Sequence, residues 1–318
     1  MRGKRFIQLG TALGALLVAS CGGTVQNGTS LGVVPGGDLQ DPFSLGHFWA
    51  DHGDLFWSDT SSVYRLSESG GAVEALFEND CGPLYGFGVD ESSVYCGTCT
   101  GSGATQQESL VAWSRSGGST VVLDANEGAL AAAPLGDYVY SVLCGTHRRA
   151  RKDGAGASVL TIPPGAPSVG CSTFIDPAGT NLIIQGSHNL LLDPDAGSFV
   201  SVPDGRVVAR SDRYLVIHEH DRLAVVTTAG GAEVREVSSD VGDTGANFNV
   251  LAAALDGGRL YWAAQNGSTI HAVDLPDGAD SALIQRPHPV LRLAADGSTL
   301  FGAELDGTHA IVVRYSLP

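Results

Sequence analysis

Short apolar strands return along this chain at a nearly constant interval, and that interval restricts the fold more than any other feature. They begin at Leu55, Val94, Val139, Leu182, Tyr214, Leu260 and Leu300, with gaps of 39, 45, 43, 32, 46 and 40 residues. The mean gap, near 41, falls inside the span of about 40–45 residues used by one four-stranded propeller blade. Turn residues keep the same register. Aspartate stands four residues before the strand at Asp51, Asp90, Asp256 and Asp296, and six before at Asp176. Asp opens tight turns because its carboxylate accepts from the backbone just ahead of it. Downstream, glycine turns fall at Gly70-Gly71, Gly117-Gly118, Gly154 with Gly156, Gly197, Gly230-Gly231 and Gly278. Glycine supplies the positive φ that hairpin turns demand.

The seventh unit stops at Pro318 after a third strand ending Val312-Val313-Arg314-Tyr315. A three-stranded last blade would leave an unpaired edge, a liability in any sheet. Residues from about 31 to 43 can supply the missing strand. The expectation is therefore an all-β chain, a β-propeller of seven four-stranded blades whose last blade is closed by an N-terminal strand. Asp-Leu-Phe-Trp-Ser-Asp at 54–59 and Arg-Leu-Tyr-Trp-Ala-Ala at 259–264 resemble the Tyr-Trp-Thr-Asp type of propeller repeat. More broadly, the chain is similar to secreted bacterial propeller lipoproteins. Repeats of the Tyr-Trp type often form six blades, so the resemblance admits six blades plus an irregular N-terminal segment as the alternative.

The N-terminus has the layout of a secretory signal. Arg2, Lys4 and Arg5 precede an uncharged, mostly apolar run from Phe6 to Val18, and Val18-Ala19-Ser20-Cys21 closes it. A positive flank, a short apolar segment and small residues at the cleavage site define such signals. The run is too short for a span, which needs about 20 apolar residues. The last four residues resemble a bacterial lipobox, which implies acylation of Cys21. Gly22 after it looks like lipoproteins sent to an outer membrane. Residues 1–21 are thus expected to be a lipoprotein signal, 22–30 a flexible linker and 31–318 the propeller, held in the cell envelope through its lipid alone.

Charge removes one class of partner. Loss of the signal takes three basic residues and no acid, leaving 15 basic against 34 acidic side chains, a net of −19, with Lys152 the sole lysine. Nucleic-acid binding depends on neutralising phosphates with Lys and Arg, so no nucleic-acid partner is expected. A protein or glycan ligand fits better.

Five cysteines follow Cys21: Cys81, Cys96, Cys99, Cys144 and Cys171. In an exported chain they read first as disulfide candidates. The blade map puts Cys96 and Cys144 at the ends of second strands and Cys81 and Cys171 at the starts of first strands. Cys144 with Cys171, and Cys81 with Cys96 or Cys99, are the pairs this suggests. Cys96-Gly97-Thr98-Cys99 follows a strand, whereas redox Cys-x-x-Cys motifs use a helix start. A zinc site needs a second pair at comparable spacing.

Other motifs have plain explanations. Gly28-Thr29-Ser30-Leu31-Gly32 matches G-x-S-x-G, but without the strand-to-helix elbow that the serine requires. His218-Glu219-His220-Asp221 is the densest polar cluster. His218 and His220 would share a strand face, with Asp221 or Asp212 as a third ligand, a weak metal candidate beside a simple polar turn. The basic run His147 to Lys152 reads as a solvated strand face, and Asp193-Pro194-Asp195-Ala196-Gly197 as turn chemistry rather than a calcium loop. No cofactor is expected.

Two functions suit this pattern. One is a non-catalytic, membrane-tethered binding scaffold, with the insertion Gly97 to Glu108 as contact surface. The other is a propeller hydrolase or lyase acting on polysaccharide, lactone or peptide at the central channel. The inner strands, such as Val207-Val208-Ala209 and Leu251-Ala252-Ala253-Ala254, read as small and apolar, with only His47 and Arg292 polar. That predicts a packed channel without catalytic residues.

Overall fold

The second strands of the repeat are buried on both faces, which is why they read as unbroken apolar runs. In Asp54–Ser58 every residue is buried. Side chains alternate across a strand, so Leu55 and Trp57 pack one way and Phe56 the other. Such a strand must be sandwiched between two neighbours.

The computed structural model shows how. It describes residues 28–33, 47–59, 62–78, 86–100, 107–125, 131–143, 146–167, 174–219, 222–237, 252–264, 267–307 and 309–317. Among these, 28 strands, β1 to β28 in chain order, form seven four-stranded antiparallel sheets. The inner strands are β2 (Phe48–Asp51), β6 (Phe87–Val89), β10 (Ala131–Leu135), β14 (Phe174–Ala178), β18 (Arg206–Arg210), β22 (Ala252–Asp256) and β26 (Val290–Asp296). They line up around a central channel, with β2 packed on β26, β6 on β10 and β18 on β22. The chain is a seven-bladed β-propeller, and every expected second strand takes that place.

The described core divides into seven apolar clusters, one at each seam between blades. Phe48, Leu55 and Trp57 of blade one meet Leu291, Phe301 and Val312 of blade seven, while Tyr95 and Leu110 of blade two meet Ala132 and Val139 of blade three. Each fully buried large side chain contributes about 1.5–3 kcal/mol. Close approach at the inner strands demands glycine at one point. A Cβ on Gly88 would lie 2.2 Å from Cδ of Pro134 and 2.6 Å from the Ala132 carbonyl oxygen. The turn between the third and fourth strands of blade five needs Gly231 at φ 66°.

Blade seven is completed by β1 (Gly28–Val33), antiparallel to β28 (His309–Tyr315), with Gly28 opposite Tyr315 and Val33 opposite Ile311. The closing strand therefore starts at Gly28, inside the stretch expected to be linker. Residues 1–27, which hold the signal and Cys21, lie outside the described residues. Ser30 of the G-x-S-x-G match is exposed on this outer strand, paired with Val313.

Turns joining first to second and third to fourth strands share one face, here the turn face. The other face, the link face, carries the remaining hairpins and the passages between blades. On the turn face, the third-to-fourth turn of one blade reaches back to the first-to-second turn of the blade before it. Arg115 of blade two hydrogen-bonds the Asp51 carboxylate, the Asp51 carbonyl at 2.9 Å and Asp54 at 3.2 Å in blade one. Lys152 of blade three pairs with Asp90 of blade two at 2.7 Å. Asn181 of blade four donates to the Thr228 carbonyl of blade five at 2.8 Å. At the seam where the ring closes, Glu68 of blade one shares a hydrogen bond with Asp296 of blade seven.

Candidate functional site in the central channel

The channel is not the apolar plug that the inner strands predicted. Arg206 and Arg210 stand at the two ends of β18, flanking the Val207-Val208-Ala209 run, and project beside His47, Trp49, Asp176 and Arg292. Towards the turn face, the Arg210 guanidinium lies 3.9 Å from the Trp49 ring centroid. It donates to the Pro177 carbonyl at 2.8 Å and to Asp176 at 3.1 Å. Blades one, four and five thus meet across the lumen. Asp176 is a buried inner-strand residue paired with Ile183, so the sequence reading of it as a turn aspartate is corrected. Burial raises its carboxyl to about 6 against the opposing pull of Arg210, and it is ionised at neutral pH.

Towards the link face, His47 stacks on Phe174 with centroids 4.5 Å apart and sits 6.0 Å from Phe87, edge to face. Burial first, then Arg210, Arg206 and Arg292, push its imidazole down to about 3. It is neutral at any ordinary pH. Arg292 is buried and donates to the Leu291 carbonyl at 2.8 Å. Desolvation, then Arg206, lower its guanidinium to about 9, which still leaves it charged near pH 7. Arg206 is open to water, yet the surrounding protein lowers its pKa by desolvation. It makes no ion pair among the described residues. Three buried polar atoms gather in the same lumen with no hydrogen-bond partner among those residues: His47 Nε2, Trp49 Nε1 and Arg210 Nε.

Sequence reasoning found His47 and Arg292 and missed Arg206, Arg210 and Asp176. The i, i+4 spacing of the two arginines would put both on one face of a regular strand, but the bulge between Val207 and Ala209 turns them to opposite faces, with Arg210 opposite Leu215 and Arg206 opposite His218.

The remaining candidates scatter. Cys96 is a buried free thiol among Phe56, Phe87 and Val111, pushed strongly upward in pKa by desolvation. Its apolar surroundings place it in the seam core. Cys81, Cys144 and Cys171 lie outside the described residues, as does the side chain of Cys99. His218 is buried in β19 (Tyr214–Glu219), opposite Arg206 and Leu223. His220 and Asp221 are outside the described residues, and among those described no group of three His, Cys, Asp or Glu could hold a metal. The basic run is consumed internally: Arg148 pairs with Asp124 at 2.8 Å, Arg149 lies 5.0 Å over Tyr138, and Arg151 pairs with Asp153 at 2.7 Å. Asp193 accepts from the amides of Asp195 and Ala196 at 3.0 and 2.8 Å, which is the turn chemistry anticipated for that loop. Part of the supposed blade-two insertion is strand. β7 (Ser93–Thr100) and β8 (Gln107–Ser114) pair out to Thr100 and Gln107, making a hairpin that projects on the link face. An open groove of about 700 Å³ between blades six and seven is lined by Asp256, Arg259, Tyr261 and Arg314.

No family model matches the chain, and no curated protein matches it. Solved structures do. The WD40 domain of Neurospora crassa Pan2 superposes with a TM-score of 0.60 at 12% identity, over 92% of this chain and 97% of that one. The extracellular domain of a putative one-component system from B. thetaiotaomicron gives 0.62 at 12% identity, over 91% of this chain and 40% of its own. BamB from Moraxella catarrhalis gives 0.52 at 12% identity, over 91% and 100%. At such identity the likeness is one of fold, and this chain shares the propeller architecture with all three.

Proposed function

We propose that this protein is an exported bacterial lipoprotein, anchored through Cys21 at the outer membrane, whose propeller acts as a non-catalytic binding scaffold. The observation that carries the scaffold reading is the state of the channel. His47 is neutral and packed between aromatic rings, and Asp176 is engaged by Arg210, so this histidine and this carboxylate are not placed as a general acid and base. The tether reading rests on the signal pattern and on the short reach from Cys21 to the closing strand at Gly28. Anchoring by β1 would hold the ring close to the bilayer, leaving the blade-two hairpin on the link face to meet a protein or glycan ligand.

Envelope fractionation combined with site-specific photo-cross-linking tests this. The wild type is expected in the membrane fraction and Cys21→Ser in the soluble one. A cross-linker at Thr98 should capture a ligand that one at Ser69, on the turn face, does not. A soluble wild type would remove the tether, and equal capture from both faces would remove the link-face scaffold.

A further inference from the structure

Arginine in a channel wall is costly unless something answers its charge, because a guanidinium does not shed its proton in proteins. Arg210 is answered by Asp176. Arg206, four residues away on the same strand, has no ion-pair partner among the described residues. It faces water at the link-face mouth, close enough to Arg292 and His47 to act on both electrostatically. We propose that this mouth is an oxyanion site, in which Arg206 and Arg292 hold a carboxylate or phosphoryl group above His47. The proposal rests on the scaffold reading and names the ligand chemistry of that scaffold.

Backbone geometry supports it independently of charge. Of the seven pairings between a first and a second strand, only two carry a register shift. One lies between Val207 and Ala209 in blade five, the other between Val290 and Arg292 in blade seven. These are the two blades whose inner strands bear the lumen arginines. A bulge re-aims side chains and disrupts the ladder locally, and bulges concentrate beside functional sites. The unpartnered His47 Nε2, Trp49 Nε1 and Arg210 Nε add polar capacity in the same lumen, and unsatisfied buried groups mark places completed by water or ligand. Arginine's planar fork fits the paired oxygens of carboxylate and phosphate. Against a net charge of −16, this pocket of positive potential would draw a small anion out of solvent that the rest of the surface repels.

Calorimetric titration of the detergent-extracted full-length protein with inorganic phosphate, and separately with citrate, tests the site and distinguishes phosphoryl from carboxylate ligands. At least one probe should bind the wild type. Arg206→Gln, a change at a water-exposed position, should weaken binding by about tenfold or more, the loss of one charged hydrogen-bonding partner. Arg292→Lys, which keeps charge but loses the fork, should weaken it less, and Arg213→Gln on the turn face not at all. Failure of both probes to bind, or unchanged binding by Arg206→Gln, would overturn the oxyanion site while leaving link-face capture intact. Loss of link-face capture with phosphate binding retained would instead overturn the scaffold reading alone.

Discussion

Like charges are brought together in two places in this molecule, and each place resolves the conflict differently. At the closing seam, Glu68 and Asp296 meet across blades one and seven. Desolvation, then the Asp296 charge and the hydrogen bond between them, raise Glu68 to about 7, so the pair can keep a proton and lower its charge. Asp256 of blade six is raised too, by desolvation and then Asp296. In the channel mouth, Arg206 and Arg292 have no such recourse. Even lowered to about 9, the Arg292 guanidinium stays charged at neutral pH. Carboxyl groups can dispose of repulsion by keeping a proton, whereas guanidinium groups keep their charge at neutral pH. The seam is therefore a pH-sensitive joint and the channel a place for a ligand.

The largest test of this contrast removes the carboxylate paired with Arg210 in the channel. Asp176→Ala should destabilise the fold by about 3–5 kcal/mol, the usual consequence of leaving a buried charge unpaired, read from the denaturant midpoint. An unchanged midpoint would mean that Arg210 does not depend on Asp176 and that the channel tolerates bare cations. Next in size is Arg115→Ala at an ordinary seam. It strips hydrogen bonds from Asp51 and Asp54, with Arg65 still bound to Asp54 at 2.8 Å, and should cost about 2 kcal/mol. A loss no greater than that from an exposed arginine would show the latches to be incidental.

Converting the closing seam to the pattern of its neighbours sharpens the comparison further. Glu68→Lys places a cation on the third-to-fourth turn facing Asp296, as Lys152 faces Asp90. A gain of about 0.5–1 kcal/mol is expected at pH 8, the scale of partly exposed ion pairs; a loss would mean that the seam is built around the shared proton. The smallest effect is one of slope. The folded protein holds the Glu68 proton up to about pH 7, while an unfolded chain releases it near the ordinary value of 4.5. Stability from this group is thus present at low pH and declines as pH rises between those values. Thermal melts of Glu68→Gln across that window should be flatter than those of the wild type. Parallel curves would place the proton elsewhere.

Some of this was legible in one dimension. The repeat is written in strands such as Leu55-Phe56-Trp57 and Leu260-Tyr261-Trp262, because a second strand buried on both faces has no polar position to interrupt it. Glycine turns were readable for a similar reason, since the third-to-fourth turn needs a residue that accepts positive φ, as at Gly231. Asp176 misled because an aspartate shortly before a second strand has the same spacing whether it opens a turn or lies within the first strand. The closing strand was anticipated in kind and misplaced by three residues at its start, since Gly28–Val33 carries little apolar periodicity and takes its register from β28.

Sequence alone settled the blade period, the seven second strands and the need for an N-terminal partner to the last blade, all of them local matters of burial and turn chemistry. Only the closed ring decided the character of the channel and the seam. Arg206, Arg292, His47 and Asp176 come from four different blades, and Glu68 and Asp296 from opposite ends of the domain. Residues this distant become neighbours through closure, and the bulges that accompany the two arginine-bearing inner strands follow from how each strand is paired. No local pattern records which strand ends will share a low-dielectric space, yet that space determines which charges must be met.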